Sequence, residues 1–84
     1  MWIVYILECS DNSLYTWITT DIIRRVREHN WEIIWGAKYT RIRQPVKLVY
    51  TEELENRSTA SKREYEIKKL TRKKKLELIE NFRN

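Results

Sequence analysis

With 84 residues, 42% of them apolar and 35% charged, the chain has the composition of one small folded domain, 1–84, and not of a disordered segment. No apolar run nears the roughly 20 residues that cross a bilayer, and "MWIVYIL" has neither the basic leader nor the cleavage site of a secretory signal. The formal net charge of +5 favours a polyanionic partner, nucleic acid or an anionic membrane surface, and the lone Cys9 rules out an intramolecular disulfide, so a reducing cytoplasm is the simplest setting.

The first predicted element is a strand over residues 2–8, "WIVYILE", which is β-branched and aromatic throughout. Apolar residues occupy both of its faces, which predicts a central strand covered on both sides. "CSDNS" is turn chemistry, and "SLYTWIT" reads as a second strand joined to the first by a hairpin. An odd loop, such as Ser10 to Asn12, would put Tyr5 and Tyr15 on one face as diagonal cross-strand neighbours, whereas an even loop would turn them apart.

A helix follows over about Asp21 to Asn30, with Thr19 or Thr20 as its cap and Asp21 at the positive end of the helix dipole. On a 100° wheel Ile22, Val26 and His29 share one face, and Arg25 lies about 60° from Ile22 at its edge, while Arg24 and Arg27 point away. Residues 31–44, "WEIIWGAKYTRIRQ", have no clear period and read as a loop. "PVKLVYTEE" is a third strand, with Pro45 suited to its start. Asn56 caps a second helix over about Arg57 to Leu70, whose inward positions are Ala60, Ile67 and Leu70. Glu64 sits at the edge of that face, and Tyr65 and Lys69 point outward. A last helix, about Arg72 to Asn81, turns Leu76 and Ile79 inward.

Positive charge is unevenly spread. Residues 1–23 carry no Lys or Arg, and the basic residues concentrate in "TRKKKLELI", whose plainest reading is a solvated helix start.

Several polar groups sit where packing alone would not need them. Glu64 flanks an apolar stripe, and a half-buried carboxylate is costly unless paired or bound to metal. An ion pair with Lys68 at i+4, or with Arg25, would satisfy it. His29 alone fits a satisfied core histidine, and Tyr5 alone a core aromatic with its hydroxyl at the rim. Taken together, two tyrosines, an arginine and a carboxylate are the parts of a one-metal phosphodiester hydrolase. The carboxylate holds Mg²⁺, the arginine meets phosphoryl charge, and a tyrosine or a metal-bound water handles the nucleophile.

These segments resemble the GIY-YIG endonuclease superfamily, specifically its small stand-alone bacterial members. "VYIL" (4–7) stands where that family has its first motif and "LYTWIT" (14–19) where it has its second. "DIIRRVREHN" is similar to its arginine-bearing helix, "GAKYTR" and "RQPVKLVY" to the following loop and strand, and "SKREYEIKKLTRKKKLELI" to the helix with its glutamate. The resemblance runs from about residue 2 to residue 80.

It implies an α+β fold with a small three-stranded antiparallel sheet flanked by about three helices. It implies a Mg²⁺- or Mn²⁺-dependent DNA endonuclease, of the kind used in repair or recombination, with no membrane partner and no small-molecule cofactor. By the resemblance, Tyr5 is general base or positions the attacking water, Tyr15 orients nucleophile and phosphate, and Arg25 stabilises phosphoryl charge. His29 is an accessory group one turn on, Glu64 is the sole protein ligand of the metal, and Lys38, Tyr39 and Arg41 contact DNA.

Trp17 departs from the pattern, standing where the second motif has glycine, and Trp31 and Trp35 occupy a loop the family fills with glycine. The chain has a single glycine, where about 7% is usual. A gene that reads UGA as glycine, translated with tryptophan, accounts for all three, and ordinary UGG codons there would refute it. If the rings are real, "WEIIW" is an apolar patch suited to self-association or partner binding, and Trp17 crowds the site. Two readings therefore compete with the enzyme: a catalytically silent nucleic-acid-binding module on the same scaffold, and an interaction domain built on the Trp/Ile loop.

Overall fold

The computed structural model describes residues 1–30 and 45–83, with side chains for all of these except His29 and Asn30. Strand β1 (Trp2–Glu8) lies between β2 (Leu14–Thr19) and β3 (Lys47–Leu54), and both pairings are antiparallel. Helix α1 (Ile22–Asn30) follows β2, and α2 (Arg57–Lys69) and α3 (Arg72–Arg83) follow β3. The described residues thus form the expected α+β arrangement of three antiparallel strands and three helices.

The central position of β1 explains its unbroken apolar sequence, because each face packs on a different layer. Val4 and Ile6 join Val49, Tyr50, Ala60, Ile67 and Ile79 on the side of α2 and α3. Tyr5, Leu7 and Cys9 pack with Val46 on the other side, against Ile22 and Val26 of α1. On its β3 side the ladder shifts register between Ile6 and Leu7, so that Tyr50 and Leu48 are paired and Val49 is the extra residue of a bulge.

The hairpin loop is odd. Cys9 N–H donates to the Ser13 carbonyl at 2.9 Å and Asn12 N–H to the Cys9 carbonyl at 2.9 Å, leaving Ser10 to Asn12 as the connection. Asn12 takes φ 69°, the left-handed conformation that closes a three-residue hairpin and that asparagine tolerates well. Asp11 locks the turn by accepting from the Ser13 N–H at 3.0 Å.

Asp21, not Thr19 or Thr20, caps α1. Its carboxylate accepts from the Arg24 N–H at 3.1 Å. Thr19 is still in β2, and its hydroxyl accepts from the Asp21 N–H at 3.1 Å, which fixes the cap in place. At α2 the expected Asn56 cap forms a full reciprocal box with Thr59, the Thr59 N–H donating to Asn56 Oδ1 at 2.9 Å. Replacing Asn56 with alanine is expected to destabilise the fold by about 1 kcal/mol. For a chain of this size that is a fall of roughly 4–8 °C in melting temperature, readable by circular dichroism.

The last helix turns Ile79 inward as expected, but not Leu76. Leu76 is 42% exposed, whereas Leu78 and Ile79 face the core and the Phe82 ring lies 5.3 Å from that of Tyr50. Lys75, the residue before Leu76, is the half-buried one.

Candidate active site

Two strands and two helices bring four of the singled-out residues together around the edge strand β2. Tyr5 is opposite Trp17 and Tyr15 is opposite Leu7, so both phenols and the Trp17 ring belong to one face, with Tyr5 and Tyr15 diagonal to each other. Tyr5 is wholly buried. Tyr15 and Trp17 stack with ring centroids 6.2 Å apart and planes 25° from parallel.

Arg25 reaches toward this pair from α1. Its side chain is 22% exposed, and its Nη1 is bound to Glu28 Oε1 at 2.9 Å. Arg24 Nε binds the other oxygen of the same carboxylate at 3.0 Å. Glu28 therefore clamps two arginines, and the hydrogen bond from Arg25, chiefly, holds its carboxyl below the usual range. Only 7% of Glu28 is exposed. Burial works against the Arg25 charge, but hydrogen bonding to Glu28 and the nearby Tyr5 outweigh it and raise the guanidinium further.

The phenols respond to the same surroundings. Burial pushes Tyr5 well up, an effect the charge and hydrogen bonding of Arg25 partly offset. Tyr15 is likewise raised by burial and drawn back by Arg25, while the Glu64 carboxylate adds an upward push. Both are neutral hydrogen-bonding phenols near pH 7.

Glu64 comes from α2. Its side chain is 16% exposed, and Lys68 Nζ lies 3.6 Å from its Oε2. Of the two ion pairs open to it, Glu64 makes the one with Lys68, and Arg25 turns to Glu28 instead. The contact with Lys68 is too long for a hydrogen bond, and Oε2 is a buried oxygen with no hydrogen-bond partner. The Lys68 ammonium also sits 4.5 Å from the centre of the Trp17 ring, a cation–π contact. The tryptophan is 41% exposed and lies in ordinary extended strand, since among the described non-glycine residues only Asn12 has positive φ. Nothing in the local backbone there calls for glycine.

A largely buried carboxylate oxygen that has an ion-pair neighbour but no hydrogen bond is the kind of donor a hard divalent cation takes. Among the described residues no group of three or more acidic, histidine or cysteine side chains forms a closed cage. The residues present fit a cation held through Glu64 that keeps most of its waters.

His29 lies on α1, but its side chain is outside the described residues, as are Lys38, Tyr39 and Arg41. The residue that sequence patterning missed is Glu28. On the wheel it stands about 120° from Ile22, on the polar side. The available signal was its spacing, three residues after Arg25 and four after Arg24, which is the contact distance on a helix surface.

A three-stranded antiparallel sheet whose hairpin carries paired tyrosines, followed by an arginine helix and a glutamate helix, is the architecture of a nuclease class. The chain belongs to the GIY-YIG family: the model of the GIY-YIG catalytic domain matches residues 1–77. It is 55% identical over 78 residues to the UPF0213 protein DP2720 of Desulfotalea psychrophila, covering 93% of this chain and 70% of that one. It is 61% identical over 77 residues to a UPF0213 protein of Haloquadratum walsbyi, covering 92% of this chain and 84% of the relative.

Two solution NMR structures share the fold. The UPF0213 protein BH0048 of Bacillus halodurans aligns with a TM-score of 0.60 at 47% identity, covering 95% of this chain and 84% of that one. The protein EF2693 of E. faecalis aligns with a TM-score of 0.64 at 44% identity, covering 96% and 84%. Membership in a nuclease superfamily implies a nucleic-acid substrate in general. Among the described residues no helix is long and apolar enough to cross a membrane.

Proposed function

We propose that this protein is a metal-dependent DNA endonuclease that hydrolyses a phosphodiester bond along the Tyr15 side of the sheet. The observation that carries the reading is the approach of Tyr5, Tyr15, Arg25 and the buried Glu64 carboxylate, one oxygen of which has no hydrogen bond, from four separate segments. Glu64 would hold Mg²⁺ or Mn²⁺, which when bound polarises the phosphodiester and stabilises the leaving oxygen. Arg25, oriented by Glu28, meets the negative charge that builds on the phosphoryl oxygens. Water attacks phosphorus, the P–O bond to the leaving strand breaks, and the proton the water loses reaches the leaving oxygen through solvent.

With its phenol raised, Tyr5 holds its proton near pH 7. It is suited to orient water or phosphate by hydrogen bonding, and less to take a proton as base. Tyr15 shares that task at the more open end. His29, Lys38, Tyr39 and Arg41 are assigned accessory and DNA-contacting roles by the family pattern alone.

The test is cleavage of branched, nicked and linear DNA with Mg²⁺ or Mn²⁺. Metal-dependent strand scission is expected, and its absence on every substrate would overturn the enzyme reading. A second reading, a silent nucleic-acid-binding module, is favoured by two contacts: Lys68 on Glu64 and the Trp17 ring against Tyr15. Salt-sensitive binding without scission would select it.

A further inference from the structure

Six of the eight residues from Lys68 to Lys75 are lysine or arginine. They occupy the corner where α2 ends and α3 begins. Arg72 to Lys75 stand consecutively in the first turn of α3, which contains no acidic residue. That is the wrong end for them. A helix N-terminus carries partial positive charge, and four cations there work against the helix they start. The turn is capped only by Thr71, whose hydroxyl accepts from the Lys74 N–H at 3.3 Å.

Several arginines of the other elements are neutralised within the fold. Arg24 and Arg25 bind Glu28, and Arg63 binds Glu52 and Glu66. Lys73 and Lys74 are exposed and form no ion pair among the described residues. Charge that opposes its own helix and is not neutralised there is placed for an external partner.

The corner is fixed to the candidate site at two points. At one end Lys68 lies 3.6 Å from Glu64 Oε2 and over the Trp17 ring. At the other, Arg72 Nη2 donates to the Asn12 carbonyl at 2.8 Å, at the turn where β2 begins. Lys68 and Arg72 therefore flank β2 from Trp17 to its turn, and Lys73 and Lys74 continue the charge outward from Arg72 on α3.

We propose that the α2–α3 corner is a phosphate-backbone track, with Lys73 and Lys74 as its direct contacts, which holds one arm of a DNA substrate where it leaves β2 and the reacting bond. The track rests on the DNA reading above and adds to it the surface that binds the flanking strand. Contacts of this kind position without reading sequence.

The experiment compares wild type with a K73Q/K74Q variant by fluorescence anisotropy on one labelled duplex, without divalent metal, across a range of KCl concentrations. Each phosphate neutralised by a lysine steepens the fall of log K with log salt by roughly 0.9, so the variant's slope is expected to be shallower by about 2. Its melting temperature is expected to equal or exceed that of wild type, because the helix sheds charge that opposes it. A variant with the wild-type slope would overturn the track while leaving the DNA reading intact. Failure of the wild type itself to bind would overturn the DNA reading, and the track with it. Tighter binding to phosphatidylserine vesicles than to duplex, abolished in the variant, would assign the corner to a membrane surface and overturn the proposal.

Discussion

Glu64→Gln is expected to abolish metal-dependent scission, by at least about a thousandfold, while DNA binding without metal stays close to wild type. Glutamine keeps the size and one carbonyl oxygen but loses the charge that would hold a hard cation. A Lewis acid supplies several kcal/mol of transition-state stabilisation, and each 1.36 kcal/mol is tenfold in rate. The fold should survive, because the amide leaves no unpaired carboxylate, and the half-exposed Lys68 can return to water. Single-turnover cleavage reads the rate, and manganese titration followed by electron paramagnetic resonance reads the cation site directly. Retained scission in the variant would remove Glu64 from the metal role, whatever the fate of the rest of the site.

The second large effect is at Arg25. Arg25→Ala is expected to slow turnover by roughly a hundred- to a thousandfold, the usual loss when one donor to a developing oxyanion is removed. Arg24→Ala should cost far less, because that side chain is 70% exposed and its ion pair is with Glu28, not with the phenols. The two substitutions remove the same formal charge from adjacent positions, so a general electrostatic effect would weaken both alike. A split between them isolates the guanidinium that faces the phenols. Arg25→Lys should recover little, since an ammonium cannot hold Glu28 and a phosphate oxygen in a planar fork. Rates equal for the two alanine variants would count against the assignment.

Much of this arrangement is legible in the residues. The two-sided apolar run of β1 announces a central strand, and the turn chemistry of residues 9–13 allows the odd loop that sets both tyrosines on one face. Asn56 and Ala60 are readable because capping and small inward residues follow local rules. What escapes is decided by partners. Glu28 is buried on the polar side of its helix because two arginines close over it, and no hydrophobic wheel represents that. Leu76 is left exposed while its neighbour Lys75 is half-buried, a choice that patterning by residue type scores the other way. Thr19 yields the cap to Asp21 because β2 continues through it. The roles expected of Lys38, Tyr39 and Arg41, and the oddity of Trp31 and Trp35, fall outside the described residues.

The sheet order has a consequence for how the chain comes off the ribosome. The β1–β2 hairpin is complete once residue 19 is made, and hairpins of this kind close in microseconds. The other edge of β1 must wait for residues 47–54, which at ordinary rates of translation arrive seconds later. During that interval the most apolar strand of the protein offers a row of unsatisfied amides and carbonyls to any neighbouring nascent chain. That edge is covered only when β3 is delivered, so the interval before β3 is where this small fold is most exposed to misassembly.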